Sequence, residues 1–108
     1  MKLVSIILPT YNEVGNIISL IKAIQNVVKF PLEIIVVDDN SPDGTSELVH
    51  KYQEKFKNNV RVITRYKDRG LTNSIREGIN SSKGDVVVWM DCDFSHPPAL
   101  ISKLLEKI

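Results

Sequence analysis

Two aspartates one residue apart, Asp91 and Asp93, follow the apolar run Val86-Val-Val-Trp-Met. In extended chain, residues two apart project to the same side, so both carboxylates would face one way where a strand ends. Two like charges so placed repel by a few kcal/mol at protein-like dielectric. A helix cap, a turn or a solvated edge would account for a lone aspartate. A pair with only Cys92 between its members is better explained by a shared divalent cation, Mg²⁺ or Mn²⁺. Mg²⁺ commonly takes one or two carboxylates and completes its shell with water and substrate phosphates. The chemistry of such a site is done on a diphosphate.

Two further polar clusters follow apolar runs, Pro9-Thr-Tyr-Asn-Glu13 and Asp38-Asp39-Asn-Ser41. Asp39 could accept hydrogen bonds from a base imino or a ribose hydroxyl group, and Tyr11 and Pro9 offer a base a flat apolar surface. Each cluster alone has an ordinary explanation. Asp38 or Asp39 is as readily a turn former, and Tyr11 a half-buried packing residue. Three polar strand ends on one rim are harder to dismiss. No G-x-G-x-x-G opens the first helix and no G-x-x-x-x-G-K-[ST] occurs, so neither phosphate-cradling loop is present. Phosphates would then be held through metal, and the ligand that fits is a nucleoside diphosphate bearing a leaving group.

The elements that must position these residues alternate strand and helix four times. Leu3–Leu8 reads as a strand that Pro9 ends, because proline cannot donate to a sheet ladder. Ile17, Leu20, Ile21, Ile24, Val27 and Val28 form a helical stripe, with Asn12 or Asn16 as its cap. Ile34–Val37 is a second buried strand, and Thr45–Phe56 a helix with Leu48, Val49, Tyr52 and Phe56 inward. Asn58-Asn59 breaks it before a third strand, Val60–Thr64. Gly70 precedes a short helix carrying Leu71, Ile75 and Ile79. The run from Val86 reads as a strand covered on both faces, with Trp89 in the core. Pro97-Pro98 suit a first helical turn, and Leu100, Ile101, Leu104, Leu105 and Ile108 make the last amphipathic helix. The pattern predicts an α/β fold, a parallel Rossmann-like sheet with helices on both faces and right-handed crossovers. Ligands of such sheets bind beyond the carboxyl ends of the strands, near the switch in strand order.

With 108 residues the chain is one domain at most. Its net charge of +1 provides no basic field for nucleic acid or an anionic membrane surface. Cys92 is the single cysteine, which excludes an internal disulfide and fits a reducing, cytoplasmic compartment. No apolar run reaches the ~18 residues of a membrane span, so the expectation is a soluble chain that meets a membrane only peripherally, at its cytoplasmic face, or through segments outside these residues.

The motifs resemble those of family-two glycosyltransferases with the nucleotide-sugar fold called GT-A. The matching stretches are Ile-Ile-Leu-Pro9-Thr-Tyr11-Asn12-Glu13, Glu33-Ile-Ile-Val-Val37-Asp38-Asp39-Asn-Ser-Pro-Asp43-Gly-Thr, Gly70-Leu71 with Gly78, and Gly84-Asp85. The form Asp91-Cys-Asp93-Phe-Ser-His96-Pro-Pro98 is similar to the polyisoprenyl-phosphate hexose synthases, above all the dolichol-phosphate mannose synthases. The resemblance spans nearly the whole chain and implies the amino-terminal half of a GT-A domain, four βα units over residues 1–108. It implies that Pro9, Tyr11, Glu13, Val37 and Asp39 contact the nucleoside. Asp91, Cys92 and Asp93 would lie along the diphosphate, with Asp91 and Asp93 as metal ligands and Asp93 the more direct. The implied reaction is metal-dependent, inverting transfer of a hexose, mannose from GDP-mannose, to a polyisoprenyl phosphate.

Two departures stand against the pattern. The synthases often carry glutamine two residues after the second aspartate, where this chain has the shorter Ser95. The family's catalytic domain also continues well past a residue equivalent to Ile108. A nucleotide-binding unit without transfer activity is therefore one alternative. A signalling receiver domain is another, though its acidic pair should follow the first strand. His96, before two prolines, reads as a loop-fixing residue rather than a base, and His50 as a surface residue. Lys67, Arg69 and Arg76 read as scattered surface charge.

Overall fold

The computed structural model describes residues 2–56, 59–92 and 97–107. Asn58, Asp93, Ser95, His96 and Ile108, and the side chain of Phe56, lie outside the described residues. The elements are β1 (Val4–Thr10), α1 (Ile17–Val27), β2 (Leu32–Asp38), α2 (Thr45–Phe56), β3 (Val60–Thr64), α3 (Leu71–Ser81), β4 (Val86–Trp89) and α4 (Ala99–Leu105). All four strands are parallel, in the order β3-β2-β1-β4. The chain steps outward from β1 to β3, then returns across the sheet to lay β4 on the other side of β1. The reversal of order thus falls between β1 and β4. It differs from the 2-1-3 order of a receiver domain.

Right-handed crossovers place helices by the direction of travel. The two outward steps put α1 and α2 on one face, and the return step puts α3 on the other, against β1 and β2. Side chains alternate along each strand to serve both layers. Val4, Ile6, Leu8, Ile34 and Val36 pack with Ile17, Leu20, Ile21, Ile24, Val49, Ile101 and Leu105. Ile7, Ile35 and Val37 form the core beneath α3.

Five sequence expectations change. β1 runs through Pro9 to Thr10. Alternate residues of a parallel strand direct their amides to alternate neighbours. The Ile7 carbonyl accepts from the Met90 amide and the Thr10 carbonyl from the Asp39 amide, so Pro9 turns its missing donor toward the β4 side. There the ladder has already ended, at Ile7 and Trp89. Likewise β2 opens at Leu32, two residues before the apolar run, because Leu32 and Glu33 pair with Val4 and Ser5.

α3 turns its apolar positions outward: Leu71 and Ile79 are exposed, and the buried residues are Ser74 and Gly78. The helix lies so close to the sheet that only small side chains fit under it. Among the described residues β4 has a strand neighbour only on its β1 side and lies away from α3, which leaves Trp89 47% and Val87 39% exposed rather than covered on both faces. Finally, Asn16 takes the N-cap position of α1, but its side chain bonds Glu13 Oε2 (3.1 Å) and caps nothing.

Candidate functional site

The loops after β1 and β2 are joined by two aspartates. Asp38 is fully buried and accepts from Thr10 Oγ1 (2.7 Å), the Ser41 amide (2.8 Å) and Ser41 Oγ (2.6 Å). Ser41 Oγ in turn accepts from the Asn12 amide (2.9 Å). One residue pair thereby satisfies the backbone of both turns, where Asn12 (φ 57°) and Asn40 (φ 56°) take the left-handed conformation that asparagine tolerates. Asp43 accepts from the Thr45 amide (3.0 Å), the Thr45 hydroxyl and the Val14 amide (3.1 Å). Its slight desolvation pushes the carboxyl up, and those hydrogen bonds outweigh it and hold the group below the usual range.

On this frame lies a small pocket of about 120 Å³ lined by Pro9, Thr10, Tyr11, Asp39, Leu71 and Ser74. Strand alternation explains the set. Pro9 follows Ile7, and Asp39 follows Ile35 and Val37, on the α3 face, while Asp38 falls on the opposite, α1 face. Half-exposed Tyr11 carries the Arg69 guanidinium 5.3 Å from its ring centroid, a cation–π arrangement. Asp39 Oδ2 accepts from the Gly70 amide (2.8 Å) and Oδ1 from Ser74 Oγ (2.9 Å). A carboxylate offers about four acceptor positions, so room for a ligand donor remains.

Pro9, Tyr11 and Asp39 thus converge. Val37 lies fully buried beneath α3, against Gly78, and does not line the pocket. Glu13 sits further out on the loop, its amide on Thr45 Oγ1 (3.1 Å) and its carboxylate on Asn16. Asp91 lies across the switch in strand order. Trp89 pairs with Ile7, and Asp91, two residues on, comes level with Pro9 at the end of β1. It borders a separate hollow of about 360 Å³ between β4 and α4, with Trp89, Pro97, Leu100 and Leu104. Cys92 is packed into the core, which leaves its backbone as the part able to face a diphosphate. Among the described residues no three His, Cys, Asp or Glu side chains converge as a metal centre. Asp91 is the described member of its pair, a partly exposed carboxylate with the oxygen donor that Mg²⁺ and Mn²⁺ prefer.

Thr10, Leu71 and Ser74 join the pocket as residues given no site role from the sequence: Thr10 and Leu71 stand inside the quoted motif stretches, Ser74 in none. The small pair Ser74 and Gly78, four residues apart on one helix face, is the signal that could have found α3's pocket side.

Residues 5–108 match the model of the family described as Glycosyl transferase family 2. The chain belongs to that family. It is 44% identical over 106 residues to the dolichol-phosphate mannosyltransferase of Pyrococcus furiosus, covering 97% of this chain and 30% of that protein. It is 39% identical over 101 residues to the human dolichyl-phosphate beta-glucosyltransferase, covering 85% of this chain and 31% of the relative. Among solved structures, the mannosyltransferase PcManGT from Pyrobaculum calidifontis, in complex with GDP-Man and Mn²⁺, superposes with a TM-score of 0.76 at 29% identity. That match covers 85% of this chain and 28% of PcManGT. The fold of this family-two chain is accordingly the Rossmann-like GT-A arrangement. The chain spans 30% to 45% of the length of the curated relatives it matches. No described helix is long and apolar enough to cross a membrane.

Proposed function

We propose that the chain is the nucleotide-sugar-binding part of a glycosyltransferase that moves a hexose, mannose from GDP-mannose, onto a polyprenyl phosphate with inversion at the anomeric carbon. The observation that carries this reading is the placement of the Tyr11–Asp39 pocket and Asp91 on either side of the strand-order reversal. An extended ligand with a base at one end and a diphosphate at the other suits that placement. The nucleoside would rest against Pro9 and Tyr11 with Asp39 as acceptor, near Val37 and Glu13. The diphosphate would run toward Asp91, the Cys92 backbone and Asp93. The printed names of the relatives support a lipid-phosphate acceptor and a hexose donor, and GDP-Man with Mn²⁺ stands in the description of PcManGT.

Asp91 and Asp93 would hold a divalent cation, which when bound supplies charge neutralisation for the leaving diphosphate. A phosphate oxygen of the acceptor is already anionic at neutral pH, so the reaction asks for no strong general base.

A thermal-shift screen of GDP, UDP and their mannose and glucose conjugates, with and without Mn²⁺, tests the reading. A ligand at 100 times its Kd stabilises the folded state by about 2.7 kcal/mol. Stabilisation by GDP-mannose that requires Mn²⁺ is expected. No shift with any nucleotide would sink the assignment.

A further inference from the structure

We infer that Arg65 is a positioning residue for nucleoside recognition, acting through Asp39 and through the turn that carries Arg69. The inference rests on the reading of the Tyr11–Asp39 pocket given above.

Arg65 is the first residue after β3, and its side chain is only 11% exposed. Its guanidinium reaches three elements at once. Nη1 donates to Glu77 Oε1 on α3, and Nη2 donates to the Lys67 carbonyl (3.2 Å) and the Asp68 carbonyl (2.9 Å). The third nitrogen, Nε, stands 3.8 Å from Asp39 Oδ1. Nε is buried and has no hydrogen-bond partner among the described residues.

Each contact bears on a wall of the pocket. The turn held by Nη2 includes Asp68, in the left-handed region at φ 51°, and leads directly to Arg69, whose guanidinium covers the Tyr11 ring. Asp39 accepts from the Gly70 amide at Oδ2 and from the Ser74 hydroxyl at Oδ1, and Arg65 Nε stands near that same Oδ1. One side chain therefore braces both the stacking surface and the acceptor.

The orphaned Nε gives this brace a direction. At 3.8 Å the contact is too long for a hydrogen bond, and a buried donor without an acceptor is unfavourable. A carboxylate displacement of about 1 Å would close that gap to hydrogen-bond range. A ligand donor that competes with Ser74 for Oδ1 would thus meet a carboxylate with a charged partner close to that oxygen. Lysine could supply the charge but not the three-way fork.

The test is calorimetric titration of the full chain with Mn²⁺ present, using GDP, UDP and inorganic pyrophosphate as probes. Variants are Arg65→Gln, Arg65→Lys and Glu77→Gln. Arg65→Gln is expected to weaken the better-bound nucleotide by about tenfold while pyrophosphate binding holds. Arg65→Lys should recover part of that loss, and Glu77→Gln should show a smaller loss of the same kind. A folded Arg65→Gln protein with wild-type nucleotide affinity overturns the inference. So does an equal loss for nucleotide and pyrophosphate, the mark of a merely structural role. Should circular dichroism find Arg65→Gln unfolded, Glu77→Gln decides: an unchanged nucleotide-to-pyrophosphate ratio overturns the inference. Wild-type protein that binds nucleotide no better than pyrophosphate refutes the nucleoside reading itself, and this inference with it.

Discussion

Gly78 crosses directly above Val37: a Cβ on the glycine would stand 3.2 Å from Val37 Cγ2 and overlap the side chain of Ile7. The absence of a side chain sets how closely α3 lies on the sheet, and hence where Ser74 and Leu71 meet the pocket. Alanine at an unconstrained helix position gains up to ~1 kcal/mol over glycine. Here overpacking, typically ~1–3 kcal/mol, should win. Gly78→Ala is expected to lower the melting temperature and weaken nucleotide binding together. Gly15→Ala, with nothing within 4 Å of the added carbon, should leave both near wild type. An unchanged Gly78→Ala melting temperature would show that α3 is free to lift.

Asp38 offers a second stability test, separate from ligand contact. Removing its carboxylate strands the Thr10 hydroxyl and the Ser41 amide and hydroxyl in a buried setting. Each unsatisfied buried group costs about 1–3 kcal/mol, so Asp38→Ala should lose on the order of 3 kcal/mol, read from urea denaturation. Asp38→Asn keeps one accepting oxygen and should fall between. A loss under about 1 kcal/mol would mean water replaces the clasp.

These two residues also mark where the sequence stops being legible. The strand-helix alternation and the polar rim follow from apolar periodicity, which reports burial well when one face is dry and the other wet. It cannot say which of Asp38 and Asp39 points into the core, because Ile34–Val37 is apolar throughout and carries no alternation. Nor does it anticipate α3, where close approach reverses the usual rule and buries Ser74 and Gly78 in place of Leu71 and Ile79. Trp89 departs for the converse reason: a strand rich in Val and Trp looks covered on both faces, yet among the described residues β4 has β1 as its one strand neighbour and Trp89 is half-exposed. Strand order is a non-local property that short-range pattern does not encode.

Asp39→Ala is expected to erase discrimination between GDP and UDP while leaving Mn²⁺-dependent diphosphate binding in place. A hydrogen bond to a charged acceptor contributes about 1.5–3 kcal/mol, so the preferred nucleotide should lose about tenfold or more. Calorimetry on both nucleotides reads the ratio. Equal discrimination in wild type and mutant would remove Asp39 from base or ribose recognition.

For the acidic pair the expected signature is the reverse. Asp91→Ala and Asp93→Ala should each leave the circular dichroism spectrum and melting temperature close to wild type, since Asp91 is only partly buried at a strand end. What should vanish is the gain in GDP affinity on adding Mn²⁺, measured against the same titration in chelator. A mutant in which Mn²⁺ still strengthens binding as in wild type would break the link between these carboxylates and the cation.

Acid stability should trace to the opposite end of the sheet. Burial alone pushes the Glu33 carboxyl up, but the Lys83 amide (2.6 Å), the Ser5 hydroxyl (2.5 Å) and nearby Arg61 (3.6 Å) outweigh it and hold the group below its ordinary value. A carboxyl whose folded pKa is depressed binds protons more readily in the unfolded chain. Its stabilisation is full above the unfolded value near 4.5 and is lost as pH falls through the folded one. Glu33→Gln should therefore lower the melting temperature at neutral pH, and the gap from wild type should narrow as the pH drops below that value. Asp43, also depressed, is untouched by the substitution and cancels from the difference. A gap that stayed constant through the acid range would mean Glu33 stabilises the strand ends by packing alone. Because Ser5 and Glu33 sit at the amino ends of β1 and β2, away from the Tyr11–Asp39 pocket, nucleotide affinity at neutral pH should stay as in wild type.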